Sequence, residues 1–347
     1  IRAGFKVAVC EQLEDPAEAK KRGSKSIVNR GVVRVVTPGT LTEEGLLDAR
    51  SANRLAACAF DGESAAIAWA DVSTGAFETR SLAARDVEEE LAALSPAELL
   101  VVDADTPRVS EAARVSGAVV TQRPAAKADA KTASRRIKSA FEVAALDAFG
   151  EFTDVELSAM GLLLDYIELT QAGAAPRLMP PRRNAERAFM AIDAATRAGL
   201  EIERSTRGAR EGSLLACIDR TVTSAGGRML AERIGRPLTD RAAITARLDA
   251  VQFFLDARDK REGVREELRA AGDLARSVTR LALNRGGPRD LAALRDGLQA
   301  GDRAAARCAG LRGETPAEIV RACETLSLAA HAESAGLAQT LTRALAP

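Results

Sequence analysis

The chain has 347 residues, enough for two domains and room for a third. Its 49 basic and 49 acidic side chains cancel, so no global charge draws it to nucleic acid, although a local patch suffices for binding. Five dispersed cysteines without a CxxC pair, and a single histidine, argue against a zinc site, and no apolar run approaches the roughly 18 residues that span a membrane.

Aromatic residues make up only 3%, so the cores must be Leu, Val, Ile and Ala, a composition that favours packed helices over a large sandwich. Cys10, Cys58, Cys217, Cys308 and Cys323 read as reduced thiols of a cytoplasmic protein, serving as small apolar fillers. Ile1-Arg2-Ala3-Gly4 reads as mid-domain sequence, and Thr342-Arg343-Ala344-Leu345 stops within a helical pattern. Both ends suggest a piece of a longer polypeptide.

Residues 5–10 form a short apolar strand, and Asp15-Pro16-Ala17-Glu18 predicts a helix start with Pro in the first turn. A basic stretch from Lys20 to Lys25 follows. Residues 32–36 are a β-branched strand ended by Thr37-Pro38-Gly39-Thr40, and Thr40 with Glu43 has the spacing of a capping box. Strands over 55–60, 65–72 and 77–82, separated by Asp61-Gly62 and Ser73-Thr74-Gly75, predict an antiparallel meander. A helix at 84–94, a buried strand at 99–102, a helix at 108–116 and a strand at 118–121 then predict parallel additions to the same sheet. Residues 122–136, rich in Pro, Ala, Lys and Arg, read as a loop.

From residue 153 the chain reads as nearly all helix. Thr153 and Glu156 form a capping box, followed by Leu157, Met160, Leu164 and Ile167 at helical spacing. Residues 173–187, with three prolines and four arginines, read as a linker. Residues 189–193 read as a strand-like entry. Helices are expected near 194–205, 213–222, 225–235, 240–256, 259–270, 273–284 and 288–300. Ile244, Leu248, Val251 and Leu255 mark the apolar, core-facing stripe of one of them. Thr315-Pro316-Ala317-Glu318 opens the last with Thr as cap. The fold class is therefore α/β plus all-α: a mixed sheet followed by a multi-helix domain.

Val32-Val33-Arg34-Val35-Val36-Thr37-Pro38-Gly39-Thr40 resembles the VRVVTPGT block of the MutS family. Before it, Ala8-Val9-Cys10-Glu11-Gln12-Leu13-Glu14-Asp15-Pro16 is similar to that family's CEQ…DP segment. After it, Asp71-Val72-Ser73-Thr74-Gly75-Ala76-Phe77 is similar to its STG hairpin. Downstream, Asp193-Ala194-Ala195-Thr196-Arg197 resembles DAATRRNLE, and Gly212-Ser213-Leu214-Leu215 with Asp219-Arg220-Thr221-Val222-Thr223 resembles a further block. Arg236-Pro237-Leu238, Arg247-Leu248-Asp249-Ala250-Val251, Asp273-Leu274 and Gly287-Pro288-Arg289-Asp290-Leu291 continue the series in register to about residue 300. The chain departs at Ala198-Gly199, where the family has Arg-Asn, and Gly199 would cost about 1 kcal/mol in a helix interior relative to Ala. It departs again at Ala275-Arg276, where the family has Glu-Arg.

The resemblance implies a segment of a mismatch-recognition ATPase that couples mismatch binding to an ATPase domain outside this chain. Residues 1–31 would be the tail of the mismatch-binding domain and a linker. Residues 32–152 would be a connector with a ribonuclease H-like fold, and residues 153–347 the first part of a helical lever (core) domain. It also implies mismatched double-stranded DNA, a homodimer, and ATP and Mg²⁺ for the parent protein, with a MutL-type partner reached through the connector.

The chemistry behind those activities is not written in these residues. A phosphate-cradling loop needs G-x-x-x-x-G-K-[ST], and Gly23-Ser24-Lys25-Ser26 lacks the first Gly at that spacing. The family's Phe-x-Glu reading motif is not at the start, and Phe149-Gly150-Glu151 reads as a turn. A rival reading makes the connector a two-metal nuclease, with Asp71 as a ligand and Asp61 and Asp103 as companions. A third is a helical scaffold unrelated to DNA. Lys20, Lys21, Arg22 and Lys25 are the candidate phosphate contacts, being nearest the mismatch-binding domain. Arg135-Arg136 and Arg182-Arg183 read as solvated charge, and His331 as a surface helix residue.

Overall fold

The structure, a computed structural model, describes residues 5–23, 26–172, 176–184, 189–308 and 315–345. The chain divides into two compact units, Ile1–Leu47 with Asn53–Glu186, and Asp48–Ala52 with Arg187–Pro347.

In the first unit β1 (Val7–Gln12) pairs antiparallel with β2 (Arg30–Val36). Between them α1 (Pro16–Lys21) begins where the sequence predicts. The Asp15 carboxylate accepts the Ala17 N–H at 2.7 Å, and Pro16 forfeits no intrahelical bond. The helix expected after Thr40 does not form. The Thr40 hydroxyl accepts the Thr37 N–H, and the Glu43 carboxylate pairs with Arg34, so both halves of that capping box are engaged elsewhere.

β3 (Leu55–Asp61), β4 (Ser64–Asp71) and β5 (Ala76–Ala83) make the expected meander. The chain continues through α2 (Val87–Leu94), β6 (Glu98–Val102), α3 (Thr106–Ser116), β7 (Val119–Arg123), α4 (Ala130–Ala140), α5 (Asp154–Thr170) and β8 (Arg182–Arg183). The sheet order is β7-β6-β3-β4-β5-β8, with β6, β7 and β8 joined by parallel pairings. Side chains alternate between two cores, as the two-residue period requires. Ala57, Ala59, Ala66, Ala68, Ala70 and Leu100 face α4 and α5, whereas Cys58, Ile67, Trp69, Leu99 and Val101 face α2 and α3.

One expectation fails here. The loop read over 122–136 is helical from Ala130, because Asp129 accepts the Thr132 N–H at 2.8 Å and Ala133 and Ile137, four apart, are both buried. The domain boundary read at 152/153 falls inside the first unit. The Thr153–Glu156 capping box does form, but the helix it starts packs on the sheet, with Met160, Leu162, Leu163 and Ile167 buried in the core that holds Ala57 and Ala68. The approach is close: a Cβ on Gly161 would lie 2.4 Å from Ala133 Cβ. Glycine is what lets α5 meet α4 there.

The second unit contains α6 (Ala194–Gly199), α7 (Leu214–Ile218), α8 (Ser224–Gly235), α9 (Arg241–Asp256) and α10 (Arg258–Arg269). It continues with α11 (Leu274–Ala282), α12 (Pro288–Cys308), α13 (Ala317–Leu326) and α14 (Ala332–Ala344). Asp193, Ser213, Thr223, Asp240 and Asp273 cap α6, α7, α8, α9 and α11 through their side chains. Gly199 ends α6 instead of interrupting it, so the interior-glycine cost does not arise. At α13 Pro316 occupies the cap position that the sequence assigns to Thr315. The strand-like entry at 189–193 reduces to a single bridge, Phe189 to Leu238.

The stripe on α9 is turned the other way from expectation. Leu248, Val251 and Leu255 are exposed by 56–61%, while Ala243, Arg247, Ala250 and Phe254, also at helical spacing, face the unit. Among the described residues, no helix is long and apolar enough to cross a membrane.

Candidate functional site

Lys20 and Lys21 are exposed on the last turn of α1, beside its carbonyl end, where a cation is favoured whether or not a ligand is present. Arg22 pairs with Glu14, whose carboxylate also accepts the Asn29 N–H at 2.5 Å. Lys25 lies outside the described residues. Of the other basic stretches, Arg136 turns inward to Asp165 at 2.8 Å and Arg183 donates to Glu156 at 2.9 Å.

The carboxylates of the nuclease reading are not brought together. Leu55 stands opposite Ala70, so Asp71 lies beside the start of β3, whereas Asp61 ends that strand. Asp103 follows β6, which runs parallel to β3, and therefore lies at the Asp61 end. One strand length, about 20 Å at ~3.3 Å per residue, separates Asp71 from the other two. Asp71 is instead spent on the backbone: it accepts the Ser73 N–H at 3.0 Å, the Ser73 hydroxyl at 2.5 Å and the Asn53 N–H at 3.1 Å. Among the described residues no group of three or more His, Cys, Asp or Glu is placed to hold a metal ion.

Two charged clusters in the first unit were not foreseen. Glu98, fully buried at the start of β6, accepts from Thr37 Oγ1 at 2.5 Å, the Gly39 N–H at 3.0 Å, Thr121 Oγ1 at 2.6 Å and the Tyr166 hydroxyl at 2.6 Å. Lys6 Nζ stands 3.7 Å from the same carboxylate. Burial, and next the adjacent Glu98 charge, push the Tyr166 hydroxyl above its ordinary pKa, so Tyr166 remains a donor. This carboxylate fastens the Thr-Pro-Gly-Thr turn and Lys6 to the sheet and to α5. The second cluster surrounds Asp165, which takes Arg123 at 2.5 Å, Arg136 at 2.8 Å and Lys127 at 2.9 Å. Burial opposes its ionisation, but the bonds from Lys127 and Arg123 and the charge of Arg136 outweigh burial and lower its pKa. Both clusters hold elements together through internal pairings, although Arg123 Nε and Arg136 Nη1 in the second are buried without a hydrogen-bond partner.

Comparison with known proteins matches this arrangement along its length. A model of MutS domain I matches residues 1–45, one of MutS domain II matches 53–179, and one of MutS domain III matches 195–345. The chain is 51% identical over 347 residues to the DNA mismatch repair protein MutS of Caulobacter vibrioides, covering 99% of this chain and 38% of that protein. It is 53% identical over 312 residues to that of Caulobacter sp. strain K31, covering 89% of this chain and 34% of the relative. With that of Ruegeria pomeroyi it shares 49% over 328 residues, 94% of this chain and 37% of the relative. The chain belongs to the MutS family. It spans between a third and two-fifths of the length of these curated relatives.

Proposed function

We propose that this chain is the middle of a DNA mismatch-repair protein, and that its part is transmission. The observation that carries the proposal is the ordered match of three MutS domain models across residues 1–345. On this reading residues 1–31 end the mismatch-binding domain, the sheet of the first unit is the connector, and the second unit begins the lever. The strand order β7-β6-β3-β4-β5, with β4 alone antiparallel, supports the ribonuclease H-like assignment of the connector. Helix α5 then belongs to the connector.

The longer protein binds mismatched double-stranded DNA, and Lys20, Lys21, Arg22 and Lys25 contribute salt-sensitive phosphate contacts that carry no sequence information. ATP and Mg²⁺ act outside these residues. The parent is a homodimer that meets a MutL-type partner through the connector, in the cytoplasm. Coupling of DNA grip to ATP state requires a firm attachment between the segments that move. Glu98 is one, because it gathers Lys6, Thr37 and Gly39 from the part matched by domain I and Thr121 and Tyr166 from the part matched by domain II.

The test is replacement. The corresponding segment of the Caulobacter vibrioides relative is exchanged for residues 1–347, and the chimera is expressed in a strain lacking that relative. We expect spontaneous rifampicin resistance to fall to the wild-type frequency. A chimera that accumulates normally while the strain stays hypermutable overturns the proposal.

A further inference from the structure

Within the second unit, α12 and α13 pack closely through small side chains. The buried side of α12 over its last turns is Ala300, Gly301, Ala304, Ala305 and Cys308, the spacing of one helix face. A Cβ on Gly301 would lie 3.0 Å from Leu326 Cδ2, and Asp302 accepts the Leu328 N–H at 2.8 Å, so the end of α13 meets the middle of α12. Going back along α13 and on along α12 brings Cys323, one turn after the buried Ile319, to Cys308, the last residue of α12. The two thiols share a hydrogen bond. Helical side chains lean toward the N-terminus of their own helix, so on helices running in opposite directions these two lean toward one another.

The two thiols differ in access. Cys308 is 9% exposed, and burial, then the neighbouring Cys323, push its thiol up to about 11, with Lys260 of α10 opposing. Cys323 is half-buried and open to a small reagent. The remaining cysteines are dispersed, Cys10 on β1, Cys58 on β3 and Cys217 on α7.

We propose that Cys308 and Cys323 are a modification site, which a small disulfide of the glutathione class oxidises to an intramolecular disulfide. The Cys323 thiolate attacks one sulfur of the oxidant, the oxidant's S–S bond breaks, and one glutathione leaves as a thiol. Cys323 then carries the other glutathione as a mixed disulfide. Cys308 gives up its proton to solvent and attacks the Cys323 sulfur, expelling the second glutathione, which takes up a proton. Two protein thiols are oxidised and one oxidant disulfide is reduced to two thiols. The new bond fastens the last residue of α12 to α13. The proposal goes beyond the mismatch-repair reading and does not rest on it.

The experiment treats the whole native chain with oxidised glutathione, blocks the remaining thiols with N-ethylmaleimide and maps tryptic peptides without reduction. We expect peptide 308–312 joined to peptide 322–343, at least about ten-fold more abundant than any other joined pair, and separated again by dithiothreitol. In Cys308→Ser, Cys323 should keep glutathione as the mixed disulfide; in Cys323→Ser, Cys308 should stay a free thiol. Wild type is decisive whether or not the variants fold. A wild-type chain in which Cys323 retains glutathione and Cys308 stays free at the end point, in which neither thiol reacts, or in which the joined pair is no more abundant than others, overturns the proposal. Mutation frequency in the chimera is scored separately, so this site can fail while the mismatch-repair reading stands, and the reverse.

Discussion

Glu98 takes hydrogen bonds from four groups while being closed to water, so the buried charge is tolerable only because each partner is in place. Glu98→Ala strands the Tyr166 and Thr121 hydroxyls and the Gly39 amide together, and should cost on the order of 3–5 kcal/mol in urea unfolding followed by Trp69 fluorescence. A loss below about 1 kcal/mol would mean that water enters the cluster. Asp219 makes a pH-dependent case. Burial opposes its charge, but the Thr221 hydroxyl and amide and then Arg50 prevail, lowering its pKa from an ordinary 3.8 to about 2. A carboxylate with a lowered folded pKa contributes stability that is complete above the ordinary value and lost as pH falls through the folded one. Asp219→Asn should therefore be less stable than wild type at pH 7, with the gap closing between pH 4 and 2; a gap that persists at pH 2 contradicts this assignment. Neither site was legible in the sequence. Glu98 reads there as the edge of an apolar run, and its partners lie 23 to 68 residues away. Asp219 belongs to a block that resembles the family, but spacing alone does not reveal that Arg50, 169 residues earlier, comes to it.

Elements were read well where a short-range rule decides them. The Asp15-Pro16 start of α1, the Thr153–Glu156 box and the meander turns formed as expected because their hydrogen bonds close within three residues. Helix α4 was hidden because its basic residues mask a single buried pair, Ala133 and Ile137. Which face of α9 turns inward is not fixed by periodicity, which yields two stripes there, one of Ile, Leu and Val and one mixing Ala, Arg and Phe, and only packing chooses between them. The choice is measurable. Leu248→Ser should shift stability by no more than about 0.5 kcal/mol, as exposed substitutions do. Phe254→Ser should exceed about 1 kcal/mol, since its ring packs edge-on against Phe253 at 5.1 Å and its face is half-buried. Equal effects, or the reverse order in thermal melts, would mean that α9 is rotated from the orientation described.

At the scale of the molecule, family membership was readable while the division into units was not, and one cause explains both. The family blocks coincide with caps and turns, such as Asp193, Ser213 and Asp273, where the backbone demands particular side chains whatever lies beyond them. Division depends on contacts, and contact order departs from chain order at Asp48–Ala52 and again at α5. The displaced five residues carry a practical meaning for anyone dissecting the gene. A reading frame opened at Arg187 encodes every helix of the second unit among the described residues, yet it omits the peptide whose Asp48, Ala49 and Ser51 carbonyls accept from Arg276 and Arg228. Such a product leaves two guanidinium groups without the carbonyls they were shaped around. The same five codons, fused ahead of that frame through a linker, are the smallest addition that makes the unit whole.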